Sequence, residues 1–100
     1  MEHGNWKSMY EAACGGDLEL VKYYVNSGVD VNYVHPEFMS TALVSCIVAD
    51  QSDVAVYLLD NGADPNIVSP WEDMTPVQAV ATRNLPAVQA RIDELAAATR

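Results

Sequence analysis

The side chains able to do covalent or metal chemistry are few and scattered in this 100-residue sequence. Its histidines are His3, near the start, and His35, and neither stands at metal-ligand spacing from Cys14 or Cys46. A zinc site needs several ligands converging on one point, and these four do not announce one. Ser45-Cys46 has no neighbour at helical spacing that would serve as a base for a nucleophile. Gly15-Gly16 stands alone and reads as a tight turn rather than a phosphate-cradling loop. The pairs Asp60/Asp64 and Glu72/Asp73 come nearest to a catalytic couple or a divalent-ion site, since paired carboxylates can share acid–base work or chelate. Asp64, however, belongs to a turn that recurs along the chain, and Glu72-Asp73 reads as a solvated loop tip. The expectation is a non-enzyme with no cofactor and no metal site.

Large aromatic and thioether side chains promise a different chemistry, that of contact. Phe38-Met39 and Trp71 with Met74 lie in stretches rich in proline and polar residues, where a polar side chain would serve as well. Aromatic residues anchor interface hot spots, and methionine adapts to irregular partners.

The composition bounds what can position these groups. The hydrophobic fraction is 50% and the charged fraction 19%, the balance of one packed domain of about this length. Fourteen acidic residues face five basic ones, a net charge of -9 that excludes a phosphate-binding surface and suits a basic partner. No run of about 18 apolar residues is present to span a bilayer. Met1-Glu2-His3-Gly4 lacks the basic and apolar regions of a secretory leader. Two cysteines are too few for a disulfide scaffold, and the expected location is the cytoplasm.

The positioning elements emerge from an internal repeat. Gly28-Val29-Asp30-Val31-Asn32 recurs as Gly62-Ala63-Asp64-Pro65-Asn66, 34 residues later. The same offset aligns Tyr23 with Tyr57, Val34 with Val68, Pro36 with Pro70 and Thr41 with Thr75. One domain over 1–100 is expected, with units at about 7–40, 41–74 and 75–100. Each unit predicts a first helix (about 7–14, 41–48 and 75–82) built on small residues such as Ala12, Ala13, Cys46 and Ala79. A second helix follows, with Leu18, Leu20, Val21, Tyr24 and Val25 in one unit and Val54, Ala55, Leu58 and Leu59 in the next at helical spacing. Gly28 and Gly62 fit left-handed helix ends, while Thr41 and Thr75 fit N-caps, with Pro76 in the first helical position.

On these residues the chain resembles the ankyrin repeat family, whose pattern runs T-P-L-H-L-A-A-x-x-G-H-L-E-I-V-K-L-L-L-x-x-G-A-D-V-N. Unit one matches in Ala12-Ala13, Gly16, Leu18-Glu19, Val21-Lys22, Gly28 and Asp30-Val31-Asn32. Unit two matches in Thr41, Leu43, Leu58-Leu59, Gly62-Ala63-Asp64 and Asn66; unit three keeps Thr75-Pro76 and Ala81, with Val88 at an Ile-like position. The His of the motif is replaced by Tyr10, Val44 and Gln78, so its inter-repeat hydrogen bonding does not carry over directly. Unit three lacks the closing turn and reads as a terminal cap, with Val88, Ile92 and Leu95 inward and Gln89, Asp93 and Glu94 outward.

The resemblance implies an all-α solenoid of about three helix-turn-helix repeats, with finger-like hairpin loops at 33–40 and 67–74. In that family the fingers and first helices line a concave binding face. Carried onto this sequence, the expected partner-binding residues are Trp6, Tyr10, Glu37, Phe38, Met39, Trp71, Glu72, Asp73 and Met74. The offset places Trp6 in one column with Ser40 and Met74. The expected function is a protein–protein interaction module, monomeric when free, whose partner is another protein and neither nucleic acid nor membrane. Its charge and size suit one sharper version, the masking of a basic protein by an inhibitor, antitoxin or immunity factor. An alternative is a structural protein that self-associates through the same fingers; an enzyme or metal site comes last.

Overall fold

The computed structural model describes residues 3–98, the first two of them by backbone only; Met1 and Glu2, part of the leader reading, lie outside them. Six helices follow in order: α1 His3–Gly15, α2 Leu18–Asn26, α3 Ala42–Val48, α4 Ser52–Asp60, α5 Pro76–Ala81 and α6 Pro86–Ala98. Their starts obey local rules. Asp17 accepts a hydrogen bond from the Leu20 amide at 3.2 Å, and Thr41 from the Val44 amide at 3.3 Å. Thr75 and Gln78 form a reciprocal capping box, so the residue standing at the motif's histidine position closes a helix instead.

Backbone conformation repeats as regularly as sequence. The described residues with positive φ are Gly16 and Asp50, Gly28 and Gly62, and Met39 and Asp73, three pairs each 34 apart. At Gly16 φ is +78°, which strains an L-residue, and an added Cβ would lie 2.5 Å from Gln51 Oε1, so that side chain would have to move. Gln51 in turn reaches back to the Cys14 carbonyl at 3.3 Å, sewing the second unit to the first.

The helices stack in two rows. α1, α3 and α5 form the inner row and α2, α4 and α6 the outer one, each pair packing on the next. α3 lies between neighbours on both sides, and Ala42 through Ile47 are all buried. Val21, Val54, Leu58, Val88 and Ile92 fill the seam between the rows. Each such side chain contributes about 1.5–3 kcal/mol on burial, and that contribution exists only because a neighbouring unit covers it. The cap behaves as expected: Val88 and Ile92 are buried, Leu95 is half-buried, and Gln89, Asp93 and Glu94 face water. Leu20 departs from expectation, being 39% exposed, because it lies on the side of α2 that no other helix covers.

The recurring Gly-x-Asp-x-Asn turn has a physical account. Asp30 accepts from the Asn32 amide at 2.9 Å, and Asp64 from the Asn66 amide at 2.8 Å, so each aspartate shapes its own turn. Asn32 then bridges to the next unit, donating to the Gly62 carbonyl at 3.0 Å and accepting from the Asp64 amide at 2.7 Å.

Candidate functional site

The fingers are two turns seated on the inner row. In the first, the Met39 amide donates to the His35 carbonyl at 2.6 Å; in the second, the Asp73 amide donates to the Ser69 carbonyl at 2.8 Å. Among the described residues the expected hairpin character is confined to one antiparallel bridge, Ser69 to Met74. The two fingers are tied side by side, the Trp71 amide donating to the Met39 carbonyl at 2.8 Å.

Beneath the first finger lies an aromatic stack. Trp6 is 1% exposed, with Tyr10 stacked at 4.8 Å and His35 at 5.1 Å. Phe38 meets Trp6 edge-on at 5.7 Å and Tyr10 at 5.3 Å. His35 Nδ1 accepts from the Glu37 and Phe38 amides at 3.1 and 3.4 Å, which fixes the finger's backbone from within. Trp6, expected among the contact residues, is therefore core: an indole wedged among aromatic rings and inaccessible to a partner.

Beneath the second finger lies a carboxylate. Glu72 accepts hydrogen bonds from Ser40 at 3.2 Å, Ser45 at 3.0 Å and Ser69 at 2.5 Å. Tyr10 Oη stands 2.8 Å from Ser45 Oγ, and because Ser45 spends its proton on Glu72, Tyr10 is the donor. Tyr10 thus replaces the motif's histidine and still links one repeat to the next. Glu72, expected at a solvated tip and as a partner contact, is instead half-buried and holds α3, the finger base and the preceding finger together. Ser45 has the acidic neighbour its sequence context did not suggest, but its hydroxyl is buried and one of three on that carboxylate.

Of the expected contact residues, those that stay exposed lie at the tips. Trp71 is 76% exposed and Met39 is 48% exposed; Glu37 and Asp73 are exposed beside them. Tyr10, Phe38 and Met74 are half-buried. Tyr10, Glu37, Phe38, Ser40 and Trp71 line a shallow notch between the fingers. The Lys7 ammonium sits 5.7 Å from the centre of the Phe38 ring and 3.8 Å from Glu37.

Both cysteines lie on inner helices, Cys46 buried and Cys14 only half-buried. Burial raises both thiols above their ordinary value; at Cys14 hydrogen bonding with the Tyr10 hydroxyl opposes the shift, and the Glu72 charge adds to it. A thiol held protonated is a poor nucleophile and a poor ligand. Among the described residues no group of three or more His, Cys, Asp or Glu side chains is placed to hold a metal ion. No described helix is long and apolar enough to cross a membrane.

Sequence reasoning missed His35, Ser69 and the serine shell of Glu72. The offset of 34 does align His35 with Ser69, and both are buried polar residues at a finger base, so a repeated polar column was the available signal.

Comparison with known proteins agrees with the architecture. A family model described as ankyrin repeats (3 copies) matches residues 2–69. Ankyrin repeat domain-containing protein 40 of Mus musculus is 37% identical over 75 residues, which cover 75% of this chain and 20% of that protein. The Homo sapiens protein of the same name matches with the same identity and coverage. The chain spans about a fifth of the length of these curated relatives.

Proposed function

Since the chain belongs to the ankyrin repeat family, whose members are generally protein–protein interaction modules, we propose that it grips a protein partner along the edge formed by its two fingers. Trp71 would be the central anchor, Met39 and the accessible edges of Phe38 and Met74 would flank it, and Glu37 and Asp73 would supply a charged rim. The observation that carries this reading is Trp71 itself. Its side chain is 76% exposed, yet its backbone is fixed by the hydrogen bond to Met39. An aromatic ring held out on a rigid support loses little conformational entropy when a partner covers it. The mode of action would be occupancy: a small acidic protein covering a basic partner's own working surface.

Affinity capture from the cells that make the protein, followed by calorimetry on the captured partner, tests the reading. Wild type and a Met39→Ser/Trp71→Ser variant are compared, and both are unfolded thermally. The reading expects the variant to lose about 30-fold or more in affinity. Its melting temperature should stay within about 4 °C, because neither side chain is core. Full retention of the partner by the variant overturns the reading. So does light scattering that shows the free protein self-associating through Trp71, since the fingers would then be occupied by a second copy.

A further inference from the structure

We infer that the notch between the fingers receives an arginine side chain of the partner, and that Lys7, which in the free protein engages Phe38 and Glu37 of its lining, competes with it for them; this rests on the binding-edge reading above. The walls of the notch are rings. Tyr10, Phe38 and Trp71 line it, and aromatic rings attract cations more strongly as water is excluded. Glu37 stands on the rim with its side chain 75% exposed, free to meet a second charge.

The free protein already sets a cation against two of the residues that line the notch. Lys7 rises from α1 so that its ammonium lies over the Phe38 ring and beside Glu37, at 5.7 and 3.8 Å. Its side chain remains 43% exposed, so its flexible stem can swing into solvent without disturbing the core.

The floor adds uncompensated negative charge. Ser40, part of the notch, hydrogen-bonds to Glu72, whose carboxylate is satisfied only by serine hydroxyls. Among the described residues no Lys, Arg or His nitrogen comes within 4.0 Å of it. The other described lysine and arginines are committed elsewhere: Lys22 to Glu19, Arg83 to Asp50, and Arg91 to Asp60 and Glu94. A half-buried anion with no paired cation, beneath an aromatic notch, favours an incoming positive group. Arginine suits this geometry better than lysine. A guanidinium is flat, stacks on an indole while donating sideways to a carboxylate, and is less strongly hydrated than an ammonium.

The test is a titration of the full chain with the blocked peptide Gly-Ser-Arg-Ser-Gly, using the same peptide with Lys or Gln in place of Arg as comparison arms. Binding is followed by NMR at the Trp71 indole N–H and the Glu37 and Phe38 amides, with the buried Ile92 amide of α6 as internal reference. Saturable shifts at the notch with the arginine peptide are expected, about fivefold weaker with lysine and absent with glutamine. Lys7→Met, which keeps the stem and removes the competing charge, should tighten the arginine peptide about threefold or more, while Glu37→Gln should weaken it by a similar factor. Both positions are at the surface, and unchanged signals from buried Val88 and Ile92 of α6 verify that the fold is kept. Equal response to the glutamine peptide, no saturable shift at millimolar peptide, or indifference to Lys7→Met overturns the inference. If any of these occurs while partner capture still depends on Trp71, only the arginine notch falls. Loss of the Trp71 dependence removes the binding edge itself.

Discussion

Met39 adopts a left-handed backbone conformation, φ +56°, with its side chain 48% exposed. That conformation costs an L-residue about 1–2 kcal/mol, and glycine avoids the penalty at some loss of chain entropy. Met39→Gly is therefore expected to leave the protein as stable or up to about 1 kcal/mol more stable, while weakening partner binding. Urea unfolding and calorimetry on the same preparation check both halves; a variant that is destabilised and binds normally would make Met39 a structural residue. Glu72 predicts the opposite pattern. Glu72→Ala strands the hydroxyls of Ser40, Ser45 and Ser69, all buried, and should lose about 2–3 kcal/mol in urea unfolding. Asp73→Asn, one residue further and exposed, should stay within about 0.5 kcal/mol. Cys46 predicts a pH dependence. Its thiol is held protonated by burial, well above its ordinary value of 9.0, so above that pH the unfolded chain releases a proton that the folded chain retains. Stability is then lost as pH rises, by up to about 1.4 kcal/mol per unit from this group, and Cys46→Ala should flatten that part of the decline from about pH 9 upward. At this scale the sequence was only partly legible. Trp6 and Trp71 look alike as letters, yet one is core and the other exposed. The offset of 34 sets them in different columns: Trp6 aligns with Ser40, which is also 1% exposed, whereas Trp71 aligns with Glu37, which is exposed.

Elements were more legible than individual contacts, because helix ends obey rules that act within a few residues. Thr41, Thr75, Gly28 and Gly62 each end or begin a helix as their residue type dictates. α5 is the sharpest case, six residues long and too short to be helical alone. Its capping box supplies part of what packing against α3 and α6 does not. Thr75→Ala should lower stability by about 1 kcal/mol, a fall in melting temperature of about 4–8 °C, without altering partner affinity. A loss of affinity with an unchanged melting point would mean that the cap serves the binding edge rather than the helix. The fingers were less legible. Their proline and aromatic content marked them as exposed loops, but their conformation depends on His35, Ser69 and Glu72 meeting groups up to 32 residues away. No local pattern encodes such meetings.

The whole molecule is a stack in which no unit is self-sufficient. α3 is buried on every turn because units lie on both sides, and α4 is covered by α6. Covering the apolar seam accounts for the fold, and it leaves the fingertips unused by folding. Hydrogen exchange on the complex with the captured partner shows whether the fingertips are what a partner covers. Slowed exchange is expected at amides of 37–40 and 71–74 and along α1, α3 and α5, with α2, α4 and α6 unchanged. Protection on the outer helices, with the fingers exchanging as they do in the free protein, would contradict this.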